Sequence, residues 1–239
     1  MTYCNRWGNI YSAMLTIHTL LYGDKYNFDD VNRIAAATDM QYRYVCHTDQ
    51  GERLRDEGLY PEIILRWADS ELGTFEKVNI LGQDWGQSLY LDLDIVIQKP
   101  EKVWELFTEG MKICKTHWKP DGFEAEHGGG DFNSSVMAWK GFQGVGIKKH
   151  FNENPYKWFK EYKGCDDKYL FHEHKDKFQT YDKGVLYSYM YGIDHETDVS
   201  PRGRKYRPDP TICLLNGQDR HNFDLRTDYY THFSNNKVG

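Results

Sequence analysis

Apolar residues fall along this chain in short runs set off by glycine, aspartate and proline, the pattern of buried strands alternating with amphipathic helices. Ala13 to Tyr22 reads as a first buried strand, stopped by Gly23-Asp24. Asn27 to Asp30 offers a helix start, with Val31, Ile34, Ala35 and Ala36 at helical spacing behind it. Gln41 to His47 and Pro61 to Trp67 read as the next strands, and Thr74 to Leu81 as a short helix leading into a long apolar run, Ser88 to Ile97. Beyond Pro100 the pattern predicts a helix over 101–108, strands over 111–117 and 131–140, helices over 152–162 and 166–172, a strand over 185–191 and a last strand over 211–215. Asp121 to Gly130, ending in three glycines that are costly to order, reads as a mobile loop, and His195 to Pro210 as a long polar connection. Residues 1–12 lack a clear period and read as an N-terminal arm. Strands and helices alternating in this way predict an α/β domain built on a mostly parallel sheet.

The run from Ser88 to Ile97 organises the rest. Two carboxylates, Asp92 and Asp94, interrupt otherwise β-branched, aliphatic and aromatic positions. In one continuous strand, residues two apart point to the same face, so the pair would aim at one point. Buried carboxylates need a counter-charge, and magnesium or manganese, which favour oxygen ligands and phosphate, would supply it. The alternative is a strand that stops at Leu91 and leaves both aspartates in a solvated turn.

Composition narrows the classes. A chain of 239 residues with a net charge of −6 and no long basic tract argues against nucleic acid or an anionic membrane as the main partner. Eighteen tyrosines and seven tryptophans suit either ring stacking on a base or sugar, or a plain aromatic core. Five scattered cysteines without a Cys-x-x-Cys motif favour a reducing compartment. With no apolar run long enough to span a bilayer and no signal-peptide pattern, the expected location is cytoplasmic.

Several other clusters carry chemistry. Tyr22-Gly23-Asp24-Lys25-Tyr26 offers rings, an acceptor and a cation, or is an ordinary polar turn. Lys77 reads as a cation for a phosphate or as the solvated side of its helix. Asn133-Ser134-Ser135 puts three small polar side chains in an apolar strand, as fixed partners for sugar hydroxyls or as a strand edge or bulge. Asp166-Asp167 opens a helix and either caps it or faces a substrate. His172, Glu173, His174 and Asp176 are poorly spaced on a helix to share one zinc. Arg202, Arg204, Lys205 and Arg207 form the one local basic cluster, read as a solvated loop or a lid. Asn216-Gly217-Gln218-Asp219-Arg220-His221 follows the last strand and could close the diphosphate side of a site.

Together these residues resemble a GT-A-fold nucleotide-sugar glycosyltransferase, most like bacterial and viral relatives of glycosyltransferase family 8. Leu89-Tyr90-Leu91-Asp92-Leu93-Asp94-Ile95-Val96 is similar to the family's DxD strand. Tyr22 to Tyr26 with Val31-Asn32-Arg33 resembles its uridine-holding loop. Phe75-Glu76-Lys77 resembles the helix whose lysine approaches the diphosphate, Phe132 to Met137 the strand that contacts the donor sugar, and Asp166 to Leu170 the helix start near the anomeric carbon. The resemblance implies a single Rossmann-like domain over 13–239, with a nucleotide-binding half (13–100) and a donor-sugar and acceptor half (101–239). It implies Mn2+ or Mg2+ on Asp92, Asp94 and Asn216, the last standing where the family has histidine, with His221 as another candidate. It implies donor contacts from Tyr22, Gly23, Asp24, Lys25, Tyr26, Lys77, Asp92, Leu93, Asn133, Ser134 and Arg220, and catalytic roles for Asp166 and Asp167. The expected reaction moves a hexose from a UDP-sugar to an acceptor hydroxyl on a glycan, lipopolysaccharide or small molecule, with retention. Two other readings stay open: a haloacid-dehalogenase-like phosphohydrolase with the first aspartate as nucleophile, and a degenerate sugar-nucleotide-binding module.

Overall fold

A computed structural model describes residues 15–120, 130–196 and 207–215. Four strands come first: β1 (Thr16–Leu21), β2 (Arg43–Thr48), β3 (Ile64–Trp67) and β4 (Gln87–Leu91). They are linked by α1 (Phe28–Ala37), α2 (Arg53–Glu57) and, after a 3-10 turn over Ser70–Phe75, α3 (Glu76–Leu81). Then follow β5 (Ile95–Ile97), a 3-10 turn over Pro100–Leu106, β6 (Lys112–Lys115) and β7 (Phe132–Lys140). Three helices, α4 (Val145–Glu153), α5 (Pro155–Glu161) and α6 (Asp166–His174), precede the short β8 (Gln179–Thr180), β9 (Leu186–Ser188) and β10 (Ile212–Leu214).

Seven strands form one sheet in the order β3-β2-β1-β4-β7-β6-β8, and β5-β10-β9 form a second. β1 pairs in parallel with both β2 and β4, so the strand order reverses between β1 and β4. β7 runs antiparallel to both its neighbours. The sheet is therefore mixed and mostly parallel, as the pattern predicted, and a crevice forms beyond the carboxyl ends of β1 and β4, where ligands collect in such sheets.

The central strands β1 and β4 are buried along almost their whole length because both faces of the sheet are covered there. On β4, Leu89 and Leu91 join one core cluster with Val31, Ile34 and Ala35 of α1 and with Ile95, Ile212 and Leu214 of the small sheet. Tyr90, between them, points the other way, into a cluster with Val78 of α3, Ile147 of α4, Trp158 of α5 and Leu170 of α6. The entry to α1 has a capping box: the Asn27 side chain accepts from the Asp29 N–H at 2.9 Å, and Asp30 accepts from the Asn27 N–H at 3.2 Å.

Several element boundaries differ from the sequence expectation. The run from Ser88 to Ile97 is two strands: β4 stops at Leu91, Asp92 to Asp94 turn, and the chain resumes as β5 in the other sheet. A continued strand would have carried two carboxylates into an apolar interior, whereas the turn sets both at its edge and lets Ile95–Ile97 pair with Ile212–Leu214. The helix expected over 152–162 is two helices broken at Asn154, which caps the second through the Lys157 N–H at 3.1 Å, with Pro155 at its first position. The segment expected as a helix over 101–108 is a 3-10 turn. Two helices fall outside the sequence expectation: α2, within the crossover that parallel pairing of β2 with β3 requires, has only five residues with Leu54 buried, and α4 buries just Ile147 and Phe151.

Candidate active site

Lys77 lies at the centre of the site. Its side chain is 6% exposed, rare for lysine unless paired. The Nζ donates to Asp92 (2.9 Å to Oδ1, 3.0 Å to Oδ2) and to Ser134 Oγ at 2.9 Å, and stands 3.8 Å from Asp166 Oδ2. Burial by itself would lower its pKa, but the charges of Asp166, Asp92 and Asp167 outweigh burial and hold it above the usual lysine range. The ammonium is therefore a fixed positive charge joining four elements: α3, the end of β4, the start of β7 and the start of α6. The sequence alternative of a solvated lysine is excluded.

Asp92 is further fixed by the Tyr90 hydroxyl, which donates to Oδ1 at 2.8 Å. Tyr90 is a contact the sequence reading missed: it lies on β4, and Asp92 follows at the first position past the strand end. Asp94 lies on the outer side of the turn with its side chain 21% exposed, 3.8 Å from Lys25. Burial and the nearby charge of Asp92 push its carboxyl above the usual aspartate range, while Lys25, Lys77 and a hydrogen bond from Tyr26 pull it back. The pair is thus brought together by a turn rather than by strand pleating, and the same-face argument does not apply.

The other carboxylates do not cap their helix. Cys165 occupies the N-cap of α6 without a side-chain cap bond. Asp167 Oδ1 accepts from the backbone N–H of Ser134 at 2.6 Å, and Asp166, 4% exposed, leaves Oδ2 buried without a hydrogen-bond partner. Burial, then the charge of Asp166, raise Asp167 to about 6, against the opposing pull of Lys77 and Ser134. The Ser134 N–H is free for this bond because the β6–β7 register jumps between Ile113 and Cys114: Ile113 pairs with Met137 but Cys114 with Asn133. Asn133 Oδ1 accepts from the Ser135 N–H at 3.1 Å within the same irregularity. The irregularity in β7 is a bulge, and it frees the N–H that meets Asp167.

Gly23, Asp24 and Lys25 are exposed beyond β1, with Tyr22 and Tyr26 half-buried beside them. Gly23 takes φ +61, a left-handed conformation that favours glycine. Lys25 Nζ sits 4.5 Å over the Tyr26 ring. The Leu93 side chain is 2% exposed within the core, which leaves only its backbone at the crevice. Asn216, Arg220, His221, Arg202, Arg204 and Lys205 lie outside the described residues, as does most of the loop over 121–130. His174 turns inward to His150 and Tyr169, both about 3.1 Å away, while His172 lies along the Tyr162 ring, so they share no metal point.

Among the described residues, no group of three or more His, Cys, Asp and Glu side chains gathers as a metal site. The pair Asp92 and Asp94 nevertheless suits a hard cation. Asp92, Asp94, Asp166 and Asp167 gather at this crevice with Lys25 and Lys77 beside them, an acidic setting of oxygen ligands that suits a divalent ion. A cleft of about 750 Å³ on the other face of α3, lined by Trp67, Asp69, Glu76, Asn79, Lys148 and Tyr156 among others, holds none of the predicted residues.

No protein-family model matches the sequence, and none of the curated proteins matches it. Solved structures do. The glycosyltransferase GlyE of Streptococcus pneumoniae TIGR4 aligns with a TM-score of 0.57 at 15% identity, over 85% of this chain and 55% of GlyE. Its apo form aligns with a TM-score of 0.59 at 14% identity, over 92% of this chain and 63% of GlyE. A glycosyltransferase involved in the glycosylation of the major capsid of PBCV-1 aligns with a TM-score of 0.52 at 12% identity, over 90% of this chain and 98% of the viral one. The chain thus spans a little over half the length of GlyE and nearly all of the viral enzyme. At these identities the likeness is one of fold: the chain has the fold of glycosyltransferases.

Proposed function

We propose that this chain is a metal-dependent glycosyltransferase that moves a hexose from a UDP-sugar to an acceptor hydroxyl with retention of anomeric configuration. The observation that carries the reading is the buried Lys77 ammonium joining Asp92, Ser134 and Asp166 at the crevice between β1 and β4, in a fold shared with glycosyltransferases. Asp92 and Asp94 would hold Mn2+ or Mg2+, with Asn216 as the third ligand. The ion would supply Lewis acidity toward the leaving diphosphate.

The chain's own residues do the rest. Lys77 fixes Asp92 and Asp166 in orientation before any substrate arrives, so no reorganisation is needed when charge develops. Asp166 Oδ2, buried and unbonded, is an acceptor for a sugar hydroxyl. Asp167, anchored to Ser134, steadies positive charge at the anomeric carbon. Lys25 and Arg220 offset the growing negative charge of the diphosphate, and Tyr22, Gly23, Asp24 and Tyr26 hold the uridine. The phosphohydrolase alternative would use Asp92 as nucleophile, and hydrolysis of a generic phosphate ester, which the transferase reading predicts to be absent, tells the two apart.

Release of UDP from a panel of UDP-sugars with Mn2+, and its loss with a chelator, tests the reading, and NMR of the product anomer tests retention. Asp94→Ala should lose Mn2+-dependent UDP binding while staying folded. Neither UDP release nor Mn2+-dependent UDP binding in the wild-type protein would refute the proposal, and binding without turnover would identify the degenerate module instead.

A further inference from the structure

The turn that carries Asp92 and Asp94 is short and leaves one sheet for another, so its backbone groups need partners outside the strands. Three elements provide them. The Asp92 N–H donates to the Ser135 carbonyl of β7 at 2.9 Å, and the Asp94 carbonyl accepts from the Leu215 N–H just after β10 at 3.0 Å. The remaining contact comes from a side chain. Arg33, on α1, donates through Nη2 to the Leu93 carbonyl at 2.5 Å and through Nη1 to the Ile95 carbonyl at 2.8 Å. Asp30, one turn earlier, stands 3.6 Å from the same guanidinium.

We propose that Arg33 is a positioning residue: by bracketing the carbonyls on either side of Asp94, it sets the direction in which the Asp94 carboxylate is presented to a divalent cation. This rests on the metal-dependent reading above. The guanidinium suits the task because it is a planar fork whose two terminal nitrogens reach two acceptors at a fixed separation. A lysine in its place keeps the charge but offers a single point, and cannot hold both carbonyls in register. Through these two carbonyls Arg33 acts on the turn that carries both carboxylates. The capped start of α1 and the Asp30 contact fix the fork in turn, so the turn's geometry is referred to a helix rather than to a loop.

The test compares wild type, Arg33→Lys and Asp94→Ala. Free Mn2+ is followed by electron paramagnetic resonance during titration of each protein, UDP binding is measured by calorimetry at several Mn2+ concentrations, and melting temperature is recorded without ligand. Partners that orient metal ligands typically change metal affinity about 10–100-fold. Arg33→Lys should therefore bind Mn2+ about 10-fold or more weakly, with UDP binding regained as Mn2+ is raised, and should melt within about 5 °C of wild type at the upper range of per-kcal shifts for this size. Wild-type Mn2+ and UDP affinity in Arg33→Lys, alongside a loss in Asp94→Ala, would overturn the positioning role alone. So would a melting temperature so lowered that weakened binding only follows unfolding, because the arginine would then be structural. Absence of Mn2+-dependent binding in wild type would overturn the functional reading beneath it, and is distinguished because all three proteins would then look alike.

Discussion

Replacing Lys77 by methionine removes the only described cation that contacts Asp92 and Asp166 directly, while keeping a side chain of similar length for the α3 interface. Asp166 is 4% exposed and has no hydrogen-bond partner for Oδ2, so it cannot recover water as a substitute. Breaking a buried pair by removing one partner costs about 3–5 kcal/mol, because the other charge is left uncompensated. For a chain of this size each kcal/mol moves the melting temperature by about 2–4 °C, so a fall of about 6–20 °C is expected at pH 7.5. The deficit should shrink toward pH 5. Asp167, already raised to about 6 by burial and the charge of Asp166, loses the opposing pull of Lys77, so the folded state binds more protons than the unfolded chain and gains stability as pH falls. Adding Asp166→Asn to Lys77→Met should recover part of the loss, since it removes the most buried stranded charge. Differential scanning calorimetry from pH 5 to 8 is the assay. A Lys77→Met protein melting within about 2 °C of wild type across that range would refute the argument that this ammonium holds the site together.

Other expected outcomes follow from single features. Adding a methyl at Gly144 would place Cβ 2.1 Å from the Leu81 carbonyl oxygen, so Gly144→Ala should lose about 1–3 kcal/mol of stability by overpacking. Gly146→Ala, where Cβ meets only the Lys177 Nζ at 3.9 Å, should be neutral or gain up to about 1 kcal/mol from helix propensity, and urea unfolding of the two separates the cases. His18 and His47 form a buried pair, 3.1 Å apart, with His18 held well below the usual histidine range by burial first and the neighbouring charges next, and His47 lowered by burial to about 3. Depressed bases leave the unfolded chain binding more protons, so stability should fall as pH drops below about 6.5, and His47→Gln should flatten that slope in thermal melts. Asp167, raised to about 6, must be ionised to steady positive charge, so initial rates should climb through a pH near 6, an inflection absent in whatever activity Asp167→Asn retains. Asp94→Asn, measured without metal, should melt no lower than wild type, since burial and Asp92 already disfavour the Asp94 charge.

Local sequence determined much of this protein. Runs such as Thr16 to Leu21 and Leu89 to Leu91 announce strands buried on both faces, because in a covered sheet every position is apolar or hydrogen-bonded inside. Asn27 with Asp30 announces a helix start through chemistry contained within four residues. The chemistry-bearing types at Asp92, Asp94, Asp166 and Asp167 were legible for the same reason: carboxylates amid apolar neighbours need a counter-charge wherever they end up.

What tertiary structure alone decided is how those groups meet. Nothing local tells Asp92 to leave its strand; the turn exists because Ile95–Ile97 finds Ile212–Leu214, more than a hundred residues later, and because Arg33 of α1 takes the carbonyls between. Lys77 looks like any lysine on a short helix until α3 is laid against the ends of β4, β7 and α6, where three carboxylates outweigh the loss of water around it. Ser134 offers its N–H to Asp167 only because β6 and β7 fall out of register beside it. Residue type is a property of one position, but a pairing depends on two segments distant in sequence, and only folding brings them within reach.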